Sequence, residues 1–150
     1  MIKGLFETHI YVEDLERSID FYSNVLGLTQ CLYEADRRIA FFWIGKPQEA
    51  MLGIWEKPKK EIDVRHFAFR CEVDDVLNNQ FSFWNLKTFS LIIFLRVPIM
   101  IPWFLPGCLL WAIYFNDPDG HALEFIAILD GEARPELGVV TYPDWLKLNL

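Results

Sequence analysis

The chain has 150 residues, of which 53% are hydrophobic, and this is enough for one domain with a proper core or for two small modules. Its net charge of −7 argues against nucleic acid or an anionic membrane as a partner. The sequence opens with no basic region followed by an apolar stretch, and its three cysteines have no CxxC spacing. A cytoplasmic protein with free thiols is therefore expected.

The first part of the chain, residues 1 to about 58, predicts a strand, a helix and three more strands. The first strand runs from Leu5 to Val12, and Asp14 is placed to cap a helix that ends near Gly27. The apolar stripe of this helix contains Leu15, Ile19, Tyr22 and Leu26. Three strands are predicted at residues 29–33, 38–44 and 51–55, before a charged linker, EKPKKEID.

The second part, residues 61 to about 130, predicts a similar module. A strand begins at Arg65, and Asp74 or Asp75 can cap a second helix. A strand at residues 112–115, a DPDG turn and a strand at residues 122–128 close the module. Both modules and the tail at residues 131–150 are assigned to a single domain, 1–150; the tail can fold back over the domain or over a neighbour.

Three candidate metal ligands stand at almost equal intervals, each on a predicted strand. In FETHIYV, RHFAFRC and HALEFIA, alternation places His9, His66 and Glu124 on the side away from the large hydrophobic residues. Two imidazoles and a carboxylate suit a divalent ion with positions left open for substrate. For any one of them alone, a structural or surface role is the commoner reading.

Three segments together resemble the vicinal oxygen chelate superfamily, the group of glyoxalase I, the fosfomycin-resistance proteins and the extradiol dioxygenases. They are GLFETHIYVEDLERSIDFYSNVLGL, VRHFAFRCEVDDV and AIYFNDPDGHALEFIAI. The resemblance implies an α+β fold in which two βαβββ modules form an incomplete barrel around a metal cleft. It also implies that His9, His66 and Glu124 bind one divalent ion, either Zn, Mn, Ni or Fe.

The activity that this resemblance implies is that of a lyase, a thiol transferase or a dioxygenase. The substrate would be a small molecule that chelates the metal through vicinal oxygens, with a thiol cosubstrate in some branches, and the protein would be a homodimer. Glyoxalase I has a fourth ligand on the last strand of module one, and the alignment places Gly53 there. Glu56 lies out of phase unless a β-bulge shifts it. The chain is therefore closer to the fosfomycin-resistance and extradiol branches.

Four further residues are expected on the pocket side and are candidate substrate contacts: Tyr11, Trp55, Arg70 and Tyr114. The tyrosines can donate hydrogen bonds to an oxyanion, and Arg70 can hold a carboxylate or phosphonate. Alternatively, Arg70 pairs with Glu72, and the aromatic residues only pack. No catalytic residue is assigned, and His121 is expected to be an exposed structural residue of the turn. A metal-free drug-binding protein of the bleomycin-resistance type remains the alternative function.

The stretch from Leu91 to Trp111 departs from the pattern. It contains one charge and three prolines, Pro98, Pro102 and Pro106, which disfavour both a helix and a central strand, and which make a membrane span improbable. Back-translation one base earlier permits GTDNDPVVFAWMPAV, a polar loop followed by an apolar strand. We hypothesise that a compensated pair of frameshifts replaced this stretch, and we expect irregular backbone and exposed apolar side chains there.

Overall fold

The computed structural model describes residues 1–74, 103–141, 144 and 147, and it divides the chain into two compact units. The first unit contains Met1–Arg65 and Asp117–His121, and the second contains His66–Asn116 and Ala122–Leu150. Each unit contains one mixed sheet. The predicted α+β fold class is confirmed, while the incomplete barrel around a metal cleft stays a prediction.

The first unit has the predicted βαβββ order. Its elements are β1 (Glu7–Val12), α1 (Leu15–Asp20), which continues as a π-helical turn (Phe21–Val25), β2 (Thr29–Glu34), β3 (Ile39–Ile44), β4 (Ala50–Glu56) and a 3-10 turn (Lys59–Glu61). The sheet order is β1-β4-β3-β2, with β1 parallel to β4 and the other pairs antiparallel. The predicted strands and the helix start agree with these bounds within about two residues.

The core of the first unit lies between α1 and one face of its sheet. Asp14 caps the helix by accepting the backbone N–H of Arg17 at 3.0 Å, as its side chain predicts. The buried side chains of the helix and the sheet are those of Ile10, Val12, Leu15, Phe21, Tyr22, Val25, Ala40, Phe42, Leu52 and Ile54. Of the predicted helix stripe, Ile19 and Leu26 are only half-buried. The opposite face of the sheet stays open and carries His9.

The second unit contains a five-stranded sheet of order β5-β8-β7-β6-β9. Its strands are β5 (His66–Arg70), β6 (Trp103–Leu105), β7 (Leu110–Asn116), β8 (Ala122–Ile128) and β9 (Val140–Thr141), with a 3-10 turn at Pro135–Leu137. The tail contributes β9, which pairs with β6. A second helix was predicted with Asp74 or Asp75 as its cap, but residues 73 and 74 are already helical, so it begins before either cap; the rest of the predicted helix lies outside the described residues. In the part of the chain that the structure describes, no helix is long and apolar enough to cross a membrane.

The anomalous stretch is partly described. Its backbone leaves the strand conformation at residues 106–109, around Pro106, as predicted, whereas Trp111, whose side chain was expected to be exposed, is buried. Residues 103–105 form β6, residues 106–109 form a turn, and β7 begins at Leu110. Trp111 is fully buried and packs with Ile113 and Ala127. The alternation of Trp111, Ile113 and Phe115 toward the core explains the strand, and Pro106 lies outside it, in the preceding turn. Residues 91–102 lie outside the described residues, so the frameshift hypothesis stays a prediction there.

A surface ion network in the first unit predicts a dependence of stability on pH. The guanidinium of Arg38 donates to both carboxylate oxygens of Glu16 at 2.6 Å and to Glu56 at 3.0 and 2.5 Å. These hydrogen bonds lower the pKa of Glu16 from 4.5 to about 2, and they also lower the pKa of Glu56, whose carboxylate additionally accepts the Leu15 N–H. Since both folded pKa values are depressed, the stabilisation is complete above about pH 4.5 and is lost as pH falls toward about 2.

Replacing Arg38 by methionine should therefore flatten the acid limb of the stability curve. We expect the urea midpoint of R38M to fall less than that of the wild-type protein between pH 7 and pH 3, because Glu16 and Glu56 lose the largest cause of their lowered pKa values. The control is K60M, which removes one exposed positive charge outside the network. Parallel curves for R38M and wild type would refute the assignment.

Candidate metal and substrate site

The open face of the second sheet carries four of the predicted site residues. His66 and Arg70 share one side of β5, since they are separated by an even number of residues. Glu124 is directly opposite Ala68 of β5 and Tyr114 of β7, so all three share that side. The buried Trp111, Ile113, Phe115 and Leu123 lie on the opposite side. The sequence prediction of a polar face and an apolar face is therefore confirmed for this sheet.

His66 and Glu124 form a pair whose geometry suits a shared cation. The Nε2 atom of His66 lies 3.3 Å from Oε2 of Glu124, which is 5% exposed, while the His66 side chain is 55% exposed. The Nδ1 atom of His66 lies 3.1 Å from the carbonyl oxygen of Ala122, and it must donate there because a carbonyl only accepts. In the neutral ring, Nε2 therefore presents a lone pair to the carboxylate. A cation between these two acceptors removes their repulsion.

Tyr114 adds a hydrogen-bond donor to this pair. Its hydroxyl hydrogen-bonds to Glu124, and its ring stacks on His66 with centroids 6.0 Å apart. Burial, followed by the charge and the hydrogen bond of Glu124, raises the pKa of Tyr114 above 10.0. The phenol therefore stays protonated at neutral pH and is available as a donor.

Arg70 lies on the same face without the local partner that was considered for it. In the described part of the second unit, no ion pair joins Arg70 to Glu72, and the Arg70 side chain is exposed. Arg70 follows His66 by four residues on one strand, a distance of about 13 Å along the backbone. Its role as a substrate contact stays a prediction.

The first unit presents a separate cleft on the open face of its sheet. This cleft has a volume of about 260 Å³ and is lined by His9, Ile10, Tyr11, Trp55, Asp63 and Arg65. Three predicted site residues, His9, Tyr11 and Trp55, thus meet there. Asp63 and Arg65, which sequence reasoning did not single out, form an exposed ion pair of 3.2 Å at the same cleft. Their place just before β5 was the signal available in the sequence.

His9 is held from two sides. Its Nδ1 accepts the indole N–H of Trp55 at 2.9 Å, and its Nε2 contacts the carboxylate of Glu7. An indole N–H can only donate, so the proton of the neutral imidazole is on Nε2. The Trp55 ring also stacks on His9, with centroids 5.7 Å apart. Ligation of a metal through Nε2 requires the other tautomer, and therefore requires release of the Trp55 hydrogen bond.

The strand register bears on the proposed fourth ligand from β4. Gly53, which the alignment places at the fourth-ligand position, lies on β4, pairs directly with His9 and supplies no ligand. Glu56 binds Arg38 and the Leu15 N–H, and the register of β4 with β1 and β3 contains no bulge. The possibility that a bulge brings Glu56 into the site is therefore wrong.

His121 was expected to be exposed, and this expectation is wrong. Its side chain is fully buried in the first unit. Its Nδ1 accepts the backbone N–H of Arg65 at 3.0 Å, and its Nε2 donates to the carbonyl of Tyr11 at 2.8 Å. The predicted structural role fits this geometry, because the ring satisfies two backbone groups beside the cleft.

The donor sets of the two units differ in how well they suit a divalent ion. His66 and Glu124 suit it as they stand, whereas His9 suits it only in its other tautomer. Taken by itself, neither unit has three or more His, Cys, Asp or Glu side chains grouped as a metal site among its described residues. The assignment of His9, His66 and Glu124 to one ion stays a prediction.

Comparison with known proteins places these observations in a family. The model of the glyoxalase/bleomycin resistance protein/dioxygenase superfamily matches residues 4–81, slightly more than half of the chain. The chain belongs to this superfamily. The match includes β1 with His9 and β5 with His66, and it confirms the resemblance found in the sequence.

Several solved structures share the fold of this chain. An integron cassette protein from the mobile metagenome of Halifax Harbour Sewage Outfall is 31% identical, with a TM-score of 0.68 over 85% of this chain and 100% of its own. Lactoylglutathione lyase from Agrobacterium tumefaciens is 19% identical, with a TM-score of 0.63 over 84% and 94%. The fosfomycin resistance protein FosX from Listeria monocytogenes is 23% identical, with a TM-score of 0.60 over 83% and 91%.

Installing a glutamate at position 53 should not create a four-ligand superfamily site. A Cβ at Gly53 would lie 2.9 Å from Cε1 of Phe41 and 3.2 Å from Cδ2 of His9. We expect G53E to lose about 1–3 kcal/mol of unfolding free energy by overpacking. Urea denaturation measures the loss, and G4E is the control because nothing lies within 4 Å of Gly4. Equal stability of G53E and wild type would show that His9 and Phe41 move aside freely.

Removing the indole donor should strengthen metal binding. The W55F substitution keeps an aromatic ring stacked on His9 but removes the hydrogen bond to Nδ1 of His9. The imidazole can then adopt the metal-binding tautomer without losing a hydrogen bond. We expect Co²⁺ to bind about two- to tenfold more tightly, the value of one neutral hydrogen bond. Calorimetric titration measures the dissociation constants, with W43F as the control on β3. Unchanged or weaker binding in W55F would contradict the competition.

Proposed function

We propose that this member of the superfamily is a divalent-metal enzyme that acts on a small substrate with two neighbouring oxygens. His9, His66 and Glu124 are the proposed ligands. The observation that carries the proposal is the pair of His66 and Glu124. Nε2 of His66 lies 3.3 Å from Oε2 of Glu124, and Nδ1 of the same ring donates to the Ala122 carbonyl. This is how proteins orient an imidazole for a metal ion.

The chain's own residues suggest how a substrate would be held. A bound ion supplies Lewis acidity to two substrate oxygens. Tyr114 keeps its proton and donates a hydrogen bond where negative charge develops. Arg70, exposed on the same face, can bind a carboxylate or phosphonate of the substrate. Tyr11 and Trp55 line the cleft of the first unit and offer aromatic surface to an apolar part of the substrate.

The absence of a ligand at Gly53 favours one group of activities over another. A lactoylglutathione lyase of the four-ligand type needs a carboxylate or amide there, and the space beside His9 and Phe41 excludes one. We therefore favour thiol transfer or addition to a fosfomycin-like epoxide, or dioxygen chemistry on a catechol, over the lyase reaction. A thiol is the proposed cosubstrate for the transfer reaction, and a homodimer is the proposed assembly.

Metal analysis followed by an activity screen tests the proposal. Purified protein should bind one Zn²⁺, Mn²⁺, Ni²⁺ or Fe²⁺ per chain. The loaded protein should then convert fosfomycin with a thiol or water, or cleave a catechol, faster than methylglyoxal hemithioacetal. A chain that binds no divalent ion at micromolar concentration would overturn the proposal.

The aromatic cleft of the first unit favours a second candidate, a metal-free binder of the bleomycin-resistance type. Its walls include His9, Tyr11 and Trp55, and Trp55 occupies the Nδ1 lone pair of His9. An aromatic-lined cleft suits a planar, cationic drug. Quenching of tryptophan fluorescence by bleomycin, with no effect of added divalent ions, would favour this function over the metal enzyme.

A further inference from the structure

We propose that Glu7 is an additional metal-ligating carboxylate, which the chain supplies from β1 in place of a ligand on β4. The inference rests on the proposed metal-binding function. Glu7 and His9 are two residues apart on β1, so their side chains project from the same face of the sheet. The Glu7 carboxylate contacts Nε2 of His9, the nitrogen that a metal ion would take.

The two units take the carboxylate beside their histidine from different strands. In the second unit, His66 pairs with Ala122, and Glu124 lies two residues after Ala122 on β8. In the first unit, His9 pairs with Gly53, so the residue equivalent to Glu124 is Trp55, two residues after Gly53 on β4. Neither Gly53 nor Trp55 offers a carboxylate. The first unit therefore brings an acid to its imidazole from β1, and each unit presents one imidazole and one carboxylate in contact on its open face.

Two other carboxylates that the structure describes near this sheet are bound to groups other than His9. Glu56 is bound to Arg38 and to the Leu15 N–H, on the helix-facing side. Asp63 pairs with Arg65 at the edge of the cleft. Glu7 has His9 as its ion-pair partner, and 39% of its side chain is exposed. A partly exposed carboxylate beside an imidazole on one strand face is a chelating arrangement for a divalent ion.

Titration with Co²⁺ alone tests this role, since its visible spectrum reports the number and type of ligands. We expect E7Q to bind Co²⁺ at least about tenfold more weakly than wild type and to change the d–d bands. E7H, which replaces one ligand type by another, should restore binding with a spectrum shifted toward nitrogen ligation. E61Q, on an exposed 3-10 turn, is the matched control and should behave as wild type.

The outcomes separate the inference from the proposed function. Urea curves of the apo proteins should coincide for E7Q and wild type, which excludes misfolding as the cause of weaker binding. If wild type binds Co²⁺ and H66A does not, but E7Q keeps both the affinity and the spectrum of wild type, the metal function stands and the role of Glu7 is refuted. If wild type binds no Co²⁺, both are refuted.

Discussion

Replacing His66 by alanine should abolish stoichiometric metal binding while leaving the fold almost unchanged. Loss of an outer partner of a metal ligand already costs about 10- to 100-fold in affinity, so loss of the imidazole itself should exceed about 100-fold. The His66 side chain is 55% exposed, so its removal creates no buried cavity. Metal content after dialysis and the urea midpoint are the two measurements.

The matched control for this experiment lies on the same strand. R70A removes an exposed side chain from the same face of β5, four residues away, and should keep full metal content. Full metal content in H66A, or equal loss in H66A and R70A, would show that His66 is not a ligand. A large fall in the urea midpoint of H66A would instead assign the residue to stability.

Replacing Asp117 by alanine should give the largest loss of stability in the first unit. Asp117 is 3% exposed, and its carboxylate accepts the Tyr22 hydroxyl at 2.8 Å and the backbone N–H groups of His121 at 2.8 Å and Asp119 at 3.0 Å. Removing it takes the acceptor from one buried hydroxyl and from two N–H groups, one of them buried and one half-buried. Because each such group costs about 1–3 kcal/mol, we expect a loss of about 3 kcal/mol or more.

Two milder variants calibrate the effect of D117A. Y22F removes one hydroxyl and should cost about 1 kcal/mol. D117N keeps an acceptor oxygen for the backbone N–H groups and should fall between Y22F and D117A in urea denaturation. A loss below about 0.5 kcal/mol in D117A, a range typical of ordinary surface substitutions, would show that the turn reorganises without cost.

Sequence patterns were sufficient for the strands and for their faces. Alternation in FETHIYV and HALEFIA placed His9 and Glu124 on the open faces, because a buried face of a sheet must be apolar at every second residue. Gly53 lies on the last strand of the first module, where it was predicted. The alternation of apolar and polar residues along each strand is enough to predict these faces, so no knowledge of distant contacts was required.

Contacts between residues far apart in the chain could not be predicted in the same way. His121 is buried because Tyr11 and Arg65 approach it from more than fifty residues away. Glu56 lies on the helix-facing side, as its phase predicted, but its contacts with Arg38 and with the Leu15 N–H could not be inferred from the sequence. Trp111 is buried in β7, although it ends a segment whose prolines argued against a strand. Each outcome depends on tertiary packing, which overrides local preference.

The DPDG turn has a consequence for how the chain can be divided. Residues 117–121 belong to the first unit, although the strands on either side of them belong to the second. A fragment ending at Arg65 would lack the acceptor for the Tyr22 hydroxyl, the donor to the Tyr11 carbonyl and the carboxylate that pairs with Arg17 at 2.7 Å. The two repeats are thus interleaved. Although they share a strand pattern, the first depends on a peptide encoded inside the second.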